Sequence, residues 1–149
     1  MAENTRMKGC LLVRAGGSKY GLRLDQVLEV VDGFEVSPAP AVHTAVRGVT
    51  QMRRRSVPLV HLSSLIANEP APAAGSMETA VLARCLGSLV AFEVDDAESV
   101  TNDEQVAVPD AWQLPWVHAV IRAEGSLVPV IDLDVLGERL VAAGDREQQ

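Results

Sequence analysis

Aromatic side chains are scarce in this sequence, at 3% of residues, and cysteine occurs only twice. A core with so few rings must be built from Val, Leu, Ile and Ala, because hydrophobic residues still reach 48%, as in ordinary globular proteins. Cys10 and Cys85 lie in separate apolar segments, without the C-x-x-C spacing of redox or metal sites. We expect buried free thiols in one compact domain, or in two small lobes that share one core.

Long apolar runs and excess positive charge are also missing. No run approaches the roughly 18 to 20 residues that span a bilayer, and the start MAENTRMKG lacks the apolar stretch of a signal peptide. The expectation is a cytoplasmic protein. The formal net charge of −7 disfavours nucleic acid as a partner, except at the local run Arg53, Arg54 and Arg55.

Sequence motifs for catalysis or metal binding are absent. There is no G-x-S-x-G, no phosphate-binding glycine loop and no Cys/His signature of a nucleophile. His43, His61 and His118 have no metal-ligand spacing. Asp132 and Asp134 resemble a D-x-D ligand pair, but their place between a strand and a helix favours helix capping. We therefore predict no catalytic residues, no metal site and no cofactor.

Two segments of the first half of the chain recur in the second half. YGLRLDQV (20–27) matches VAFEVDDA (90–97) at an offset of 70 residues, and VPLVHL (57–62) matches VPVIDL (128–133) at an offset of 71. The order of the two matches is the same in both halves. The sequence therefore predicts a pseudo-duplicated architecture.

Apolar and polar residues alternate with the period of β-strands in both copies. In the first copy, the predicted strands are 10–13, 20–24, 27–31, 46–52 and 57–62, and turn residues such as Gly16-Gly17-Ser18 separate them. Helix is expected only after the last strand of each copy, at 63–67 and 134–140. This pattern predicts small sheets or barrels rather than βαβ units.

The resulting division gives a first subdomain at about 9–66, a Pro- and Ala-rich connector at about 67–78 and a second subdomain at about 79–140. Flexible tails are expected at 1–8 and 141–149.

Several segments in order resemble the CheW-like coupling proteins of bacterial chemosensory systems: GLRLDQVLEV (21–30), VSPAP (36–40), RGVTQMR (47–53), VPLVHL (57–62) and LVPVIDL (127–133). The resemblance covers nearly the whole chain, from about Cys10 to Leu140. It implies a single CheW-like, all-β domain over 1–149, made of two small five-stranded SH3-like β-barrel subdomains with short helices.

The implied function is that of a non-enzymatic adaptor. Such proteins link the cytoplasmic tip of methyl-accepting chemoreceptors to the regulatory domain of a CheA-type histidine kinase, or to other CheW-like proteins, without inserting into the membrane. The resemblance places Val27, Glu29, Val30, Gly48 and Arg53 at partner-contacting positions. For Val27 and Val30, packing in the core is an equally good interpretation.

Two positions depart from the family pattern. Arg54 stands where the family has glycine and where the repeat has Gly125, and His61 stands where the family and the repeat (Asp132) have aspartate. If the turn at Arg54 needs a positive φ, that residue carries roughly 1 to 2 kcal/mol of strain. Because both departures lie in the first copy, we predict altered partner choice, with receptor binding and weak kinase binding.

The run Arg53, Arg54 and Arg55 has two interpretations at this point. It is either a solvated turn or a basic protrusion that binds an acidic patch on a partner. A rival function uses the run to bind nucleic acid as a small β-barrel module, which would need stacking aromatic residues nearby. Trp112 and Trp116 lie instead in the second copy, where they either anchor an interface or plug the end of the barrel. The second rival is an enzyme with its site between the lobes.

Overall fold

The computed structural model describes residues 9–40, 43–72, 79–101 and 104–147, and its regular structure is mostly β. The strands are β1 (Cys10–Ala15), β2 (Ser18–Arg23), β3 (Val27–Asp32), β4 (Val46–Met52), β5 (Arg55–His61), β6 (Thr79–Cys85), β7 (Ser88–Val94), β8 (Asp96–Thr101), β9 (Gln105–Val106), β10 (Val117–Ala123) and β11 (Ser126–Ile131). The helices are α1 (Leu62–Ala67) and α2 (Leu133–Glu147), with one 3₁₀ turn at Asp110–Trp112.

The strands of the first copy lie where alternation predicts them. Strand β4 matches its predicted bounds, and the other four differ by no more than two residues at either end. Burial follows the alternation in β4, where Gly48, Thr50 and Met52 are buried and the residues between them are more accessible. The all-β prediction is therefore confirmed.

The strands form two mixed sheets. The six-stranded sheet has the order β8-β1-β2-β11-β10-β9 and the five-stranded sheet has the order β3-β6-β7-β5-β4. Neighbours are antiparallel, except for the parallel pairs β2 with β11 and β5 with β7. The sheets are consistent with two SH3-like subdomains, although one has six strands rather than the predicted five.

Each sheet takes strands from both halves of the sequence. The β1–β2 hairpin lies with the strands of the second half, and the β6–β7 hairpin lies with those of the first half. The hydrogen-bonded sheets therefore cross the predicted boundaries at 66 and 79. The predicted tail 1–8 and the connector residues 73–78 lie outside the described residues.

The topology shows the predicted repeat. The orders β8-β1-β2-β11-β10 and β3-β6-β7-β5-β4 are the same arrangement with the two copies exchanged. Both β4 and β10 carry a register shift at equivalent places, between Val46 and Gly48 and between Val117 and Ala119. Equivalent residues of the two copies can therefore be compared directly.

Three apolar clusters stabilise this arrangement. The largest contains residues of both sheets and both helices, with Phe92, Leu62 and Leu133 fully buried. Two smaller clusters belong to one sheet each, around Ile121 in the six-stranded sheet and around Leu59 in the five-stranded sheet. Because the largest cluster is shared, the two sheets form one body with one central core.

Helix α2 is longer than predicted, since it continues to Glu147 rather than ending at residue 140. Its start is capped by Asp132, whose Oδ1 accepts hydrogen bonds from the backbone N–H groups of Asp134 at 3.0 Å and Val135 at 3.4 Å. Arg139 Nη1 donates to the carbonyl of Ile66 at 2.9 Å, near the end of α1. No described helix has the length and hydrophobicity needed to cross a membrane.

Both cysteines are buried, as predicted, and neither forms a disulfide with a described residue. The Cys85 thiol donates to the carbonyl of Leu133 at 3.2 Å, and burial, with a smaller effect of the Asp134 charge, raises its pKa to about 11. A thiol with so high a pKa stays protonated and unreactive near neutral pH.

Candidate partner-binding site

Each of the hairpins β1–β2, β4–β5, β6–β7 and β10–β11 is closed by a two-residue turn with positive φ at both residues. The four pairs are Gly16-Gly17, Arg53-Arg54, Leu86-Gly87 and Glu124-Gly125. This geometry is typical of type I′ turns, which favour glycine, above all at the second residue.

Arg54 is the residue that departs from this pattern. Its φ is 61°, while glycine occupies the second position of the other three turns. The condition for strain at Arg54 is therefore met, and an L-residue in this region costs about 1 to 2 kcal/mol. The sequence therefore keeps an arginine at a position where glycine would fit with less strain.

Arg53, Arg54 and Arg55 form an exposed corner of the five-stranded sheet, which we name the basic corner. Arg54 and Arg55 have no ion pair or side-chain hydrogen bond among the described residues. Most other described cations are held by a carboxylate or a carbonyl group, as Arg14, Lys19, Arg23, Arg47 and Arg139 are. The positive charge of the basic corner is therefore only partly compensated.

Within the basic corner, Arg53 is the arginine that pairs with a carboxylate. Its Nε donates to Glu29 Oε1 at 2.6 Å, and the two side chains are 52% and 42% exposed. Glu29 belongs to β3 and Arg53 follows β4, so the pair joins the two opposite edges of the five-stranded sheet. The structure therefore brings together two of the residues predicted to contact a partner.

Val27 and Val30 lie on the same strand as Glu29 but in different surroundings. Val27 is partly buried and packs against the central core, whereas Val30 is 40% exposed. Val27 thus fits the core interpretation, and Val30 presents an exposed apolar side chain on the opposite face of β3 from Glu29, because successive strand residues alternate. Their contacts with a partner stay a prediction.

Gly48 is buried in β4 and has a φ of 145°. A Cβ at this position would lie 2.3 Å from the carbonyl oxygen of Ser37. Ser37 exchanges two backbone hydrogen bonds with Val49, at 2.8 and 2.9 Å. Glycine is therefore required at this position for the chain around Ser37 to lie against β4. Gly48 affects the surface by allowing this close approach.

A buried polar row lies elsewhere in the same sheet, and sequence reasoning missed it. Arg47 on β4 donates from Nη1 to Glu93 Oε1 on β7 at 3.1 Å, and their side chains are 10% and 1% exposed. Between these strands lies β5, where His61 is the direct neighbour of Glu93 in the parallel register. Burial raises the pKa of Glu93, and the Arg47 charge opposes that rise.

This row accounts for the departure at His61. An aspartate there would lie directly beside the buried Glu93 carboxylate, whereas neutral histidine adds no second negative charge. His61 Nδ1 lies 2.7 Å from Ser64 Oγ. Burial, assisted by the Arg47 charge, lowers the pKa of His61 and favours that neutral form.

The six-stranded sheet carries a different surface feature, an apolar cavity of about 450 Å³. It is lined by Tyr20, Trp112, Leu114, Trp116 and Leu127, among others. Trp116 is buried and lies 6.2 Å from Tyr20 between ring centroids, while Trp112 is only partly buried in the cavity wall. These rings belong to the other sheet from the basic corner, so they do not supply the stacking surface that the nucleic-acid alternative needs.

Comparison with known proteins supports the resemblance that these features predict. A family model described as a CheW-like domain matches residues 9–140. The scaffolding protein TtCheW from Thermoanaerobacter tengcongensis has a similar structure, with a TM-score of 0.71 and 18% sequence identity over 88% of this chain and 92% of that chain. A search of curated proteins gave no match. Since the family match covers most of its length, the chain belongs to the CheW-like domain family.

Proposed function

We propose that the protein is a cytoplasmic, non-enzymatic scaffold of a bacterial chemosensory system, which couples methyl-accepting chemoreceptors to a CheA-type histidine kinase without a cofactor. The observation that carries the proposal is the pairing of Glu29 with Arg53, because it places two family contact positions on one exposed surface. Membership of the CheW-like domain family, whose structural relative TtCheW is described as a scaffolding protein, supports the same function.

The proposed contact face consists of Glu29 and the basic corner. Val30 is exposed on the other side of the same edge strand, where a partner that covers the strand edge would also meet it. Val27 and Gly48 support the face from within, through the core and through the segment at Ser37. Of the predicted contact residues, these two then act mainly by shaping the face.

Coupling would follow from simultaneous contacts. A receptor whose signalling states differ at the contact face changes the binding free energy of the scaffold, and the kinase bound to the same scaffold is affected in turn. The shared central core gives the two sheets the rigidity that such transmission needs.

We further propose that kinase binding is reduced relative to a standard coupling protein. Both departures from the family pattern, Arg54 and His61, lie on strand β5 or in the turn before it, and so in the sheet that carries the proposed contact face. An added charge at an interface that lacks a matching carboxylate weakens binding. The kinase regulatory domain is the partner we expect to be disfavoured.

Calorimetric titration of the full chain with a receptor tip fragment and with a kinase regulatory domain tests these proposals. We expect binding to the receptor fragment, weaker binding to the kinase domain, and loss of receptor affinity in R53E. The control variant is R122E, since Arg122 is exposed and has no side-chain partner among the described residues. Failure of the wild-type chain to bind either fragment would refute the coupling function, and tight kinase binding would refute the reduced affinity alone.

A further inference from the structure

Arg54 occupies a backbone conformation that its side chain does not require. Its φ of 61° matches the positive φ found at Gly17, Gly87 and Gly125 in the other turns. The turn would form at least as well with glycine. Among these four turns, Arg54 is the only non-glycine residue at the second position, although non-glycine residues with positive φ also stand at the first position, at Arg53, Leu86 and Glu124. Strain that the turn does not need at the second position points to a role for the Arg54 side chain outside the fold.

The charges around Arg54 show what that side chain can bind. Arg54 and Arg55 are adjacent, exposed and without a partner among the described residues. The Glu29 carboxylate engages Nε of Arg53 and leaves the Nη groups of that guanidinium without a partner in the described part of the chain. A planar guanidinium fork matches a carboxylate geometrically, and Glu29 already occupies one such position at 2.6 Å.

The rest of the chain decides between two possible anionic partners. The formal net charge of −7 repels an extended polyanion, and the two tryptophans line a cavity in the other sheet. A short acidic protein segment needs only a local cluster of cations, without an extended basic surface or stacking rings. Its carboxylates can contact the basic corner without approaching the rest of the protein. The net negative charge of the protein repels anionic partners that do not fit the basic corner.

We propose that Arg54, with Arg55, is a specificity-determining residue that binds carboxylates of an acidic segment in a partner protein. The inference rests on the proposed contact face and adds the chemistry that the face selects. Arg53 is held by Glu29 as part of the face, whereas Arg54 and Arg55 supply the uncompensated charge.

The test uses the full chain and a polyglutamate peptide as the probe, so that it does not depend on which receptor or kinase is used. Peptide affinity is measured at about 50 mM salt and again at higher salt, where exposed charge pairs are screened. The variants are R54G, which removes both strain and charge, R54Q, which removes the charge alone, and the matched control R122Q. Thermal unfolding of every variant is measured alongside.

We expect R54G and R54Q each to weaken peptide binding by about two- to fivefold, the range for one exposed charge contact. R122Q should bind like the wild type. R54G should also unfold at a higher temperature than R54Q, so that binding falls while stability rises, which a structural role of Arg54 cannot produce. Equal peptide affinity of R54G, R54Q and R122Q would overturn the inference.

A second set of measurements distinguishes an acidic protein segment from nucleic acid as the partner. It also distinguishes the carboxylate site from the coupling function. A single-stranded oligonucleotide bound more tightly than the peptide, and released by R54Q, would also overturn the inference in favour of nucleic acid. If the peptide result is as expected but receptor and kinase fragments fail to bind, the carboxylate site stands and the coupling function fails. If those fragments bind R54Q and R122Q equally well, only the specificity role of Arg54 fails.

Discussion

The two sheets are built on one plan but carry different charges at equivalent positions. At the offsets of the repeat, Glu93 in the five-stranded sheet corresponds to Arg23 in the six-stranded sheet, and His61 corresponds to Asp132. The first sheet forms a buried pair between Arg47 and Glu93 at 3.1 Å. In the second, Arg23 forms a partly buried pair with Asp132 at 3.4 Å and a closer pair with the exposed Asp25 at 2.7 Å.

The hairpin tips show the same reversal. Arg53 in one sheet is paired with Glu29, and its counterpart Glu124 in the other is paired with Lys19. The apolar periodicity sets the strands in both copies, so the polar residues between them can change sign without changing the fold. The two copies therefore share one fold but present different surface charges.

The largest difference between the copies should appear when the two ion pairs are broken. Arg47→Met leaves the Glu93 carboxylate buried without its partner, which we expect to lower the free energy of unfolding by about 3 kcal/mol. Arg23→Met breaks the pairs with Asp132 and Asp25, whose carboxylates both keep access to water, and should cost about 1 kcal/mol. Urea unfolding of both variants measures this, and equal losses would contradict the asymmetry.

The next effect concerns Gly48, whose counterpart in the repeat is Ala119. Gly48→Ala brings a Cβ within 2.3 Å of the Ser37 carbonyl oxygen, so we expect a loss of about 2 kcal/mol. Ala119→Gly should lose about 1.5 kcal/mol, because it adds chain flexibility in a strand and removes a buried methyl group. If Gly48→Ala unfolds like the wild type in urea, the close approach of Ser37 is not as described.

A smaller effect, of opposite sign in the two turns, should come from exchanging residues at the second turn position. Arg54→Gly removes the left-handed strain and should raise the free energy of unfolding by about 1 kcal/mol, or the Tm by about 3 °C. Gly125→Arg introduces the same strain and should lower the Tm by a similar amount. Differential scanning calorimetry measures the Tm of both variants. A Tm equal to that of the wild type in both would show that neither turn is strained.

The smallest effect is a difference in pH dependence between His61 and Asp132. Because the folded state lowers the pKa of His61, the unfolded chain binds the proton more readily, and stability is lost as pH falls below about 6.5. Burial would raise the pKa of Asp132, but hydrogen bonds from Gln26 and the α2 backbone, with the Arg23 charge, lower it overall. Its contribution is therefore lost only below about pH 3.9.

The raised pKa of Glu93 has the opposite sign, because its stabilising contribution is present below the unfolded value and is lost as pH rises. The variant His61→Asn, which cannot titrate, isolates the histidine from this opposing group. Urea unfolding between pH 7 and pH 5 should show a smaller loss for that variant than for the wild type. Identical losses would mean that His61 does not titrate in this range.

Much of the fold could be predicted because it depends on local patterns. Alternation located the strands, and the repeat predicted the shared plan. The alignment of Arg54 with Gly125 raised the question of a positive φ, which the structure answers. The exchange of hairpins between the halves could not be predicted, since periodicity defines the faces of a strand and not its neighbours. The length of α2 was missed because its last turns continue past the apolar pattern that ends near residue 140.

The candidate site was predicted only in part, for the same reason. Glu29 and Arg53 were predicted from the resemblance, but their contact depends on two sheet edges coming together. Arg47 and Glu93 are 46 residues apart, and each would be taken for a solvent-exposed charge on a strand. Gly48 was predicted to contact a partner, and only the structure shows the backbone approach that requires glycine there.

If the basic corner is a partner face and the equivalent turn at Glu124 is not, the two charge reversals R53E and E124R should differ in their effect on binding. Calorimetric titration of both variants with a receptor tip fragment measures this difference. We expect R53E to raise the dissociation constant by about tenfold or more, as for a reversed interface charge, and E124R to change it little. Equal dissociation constants for R53E and the wild type would show that the basic corner does not bind the receptor.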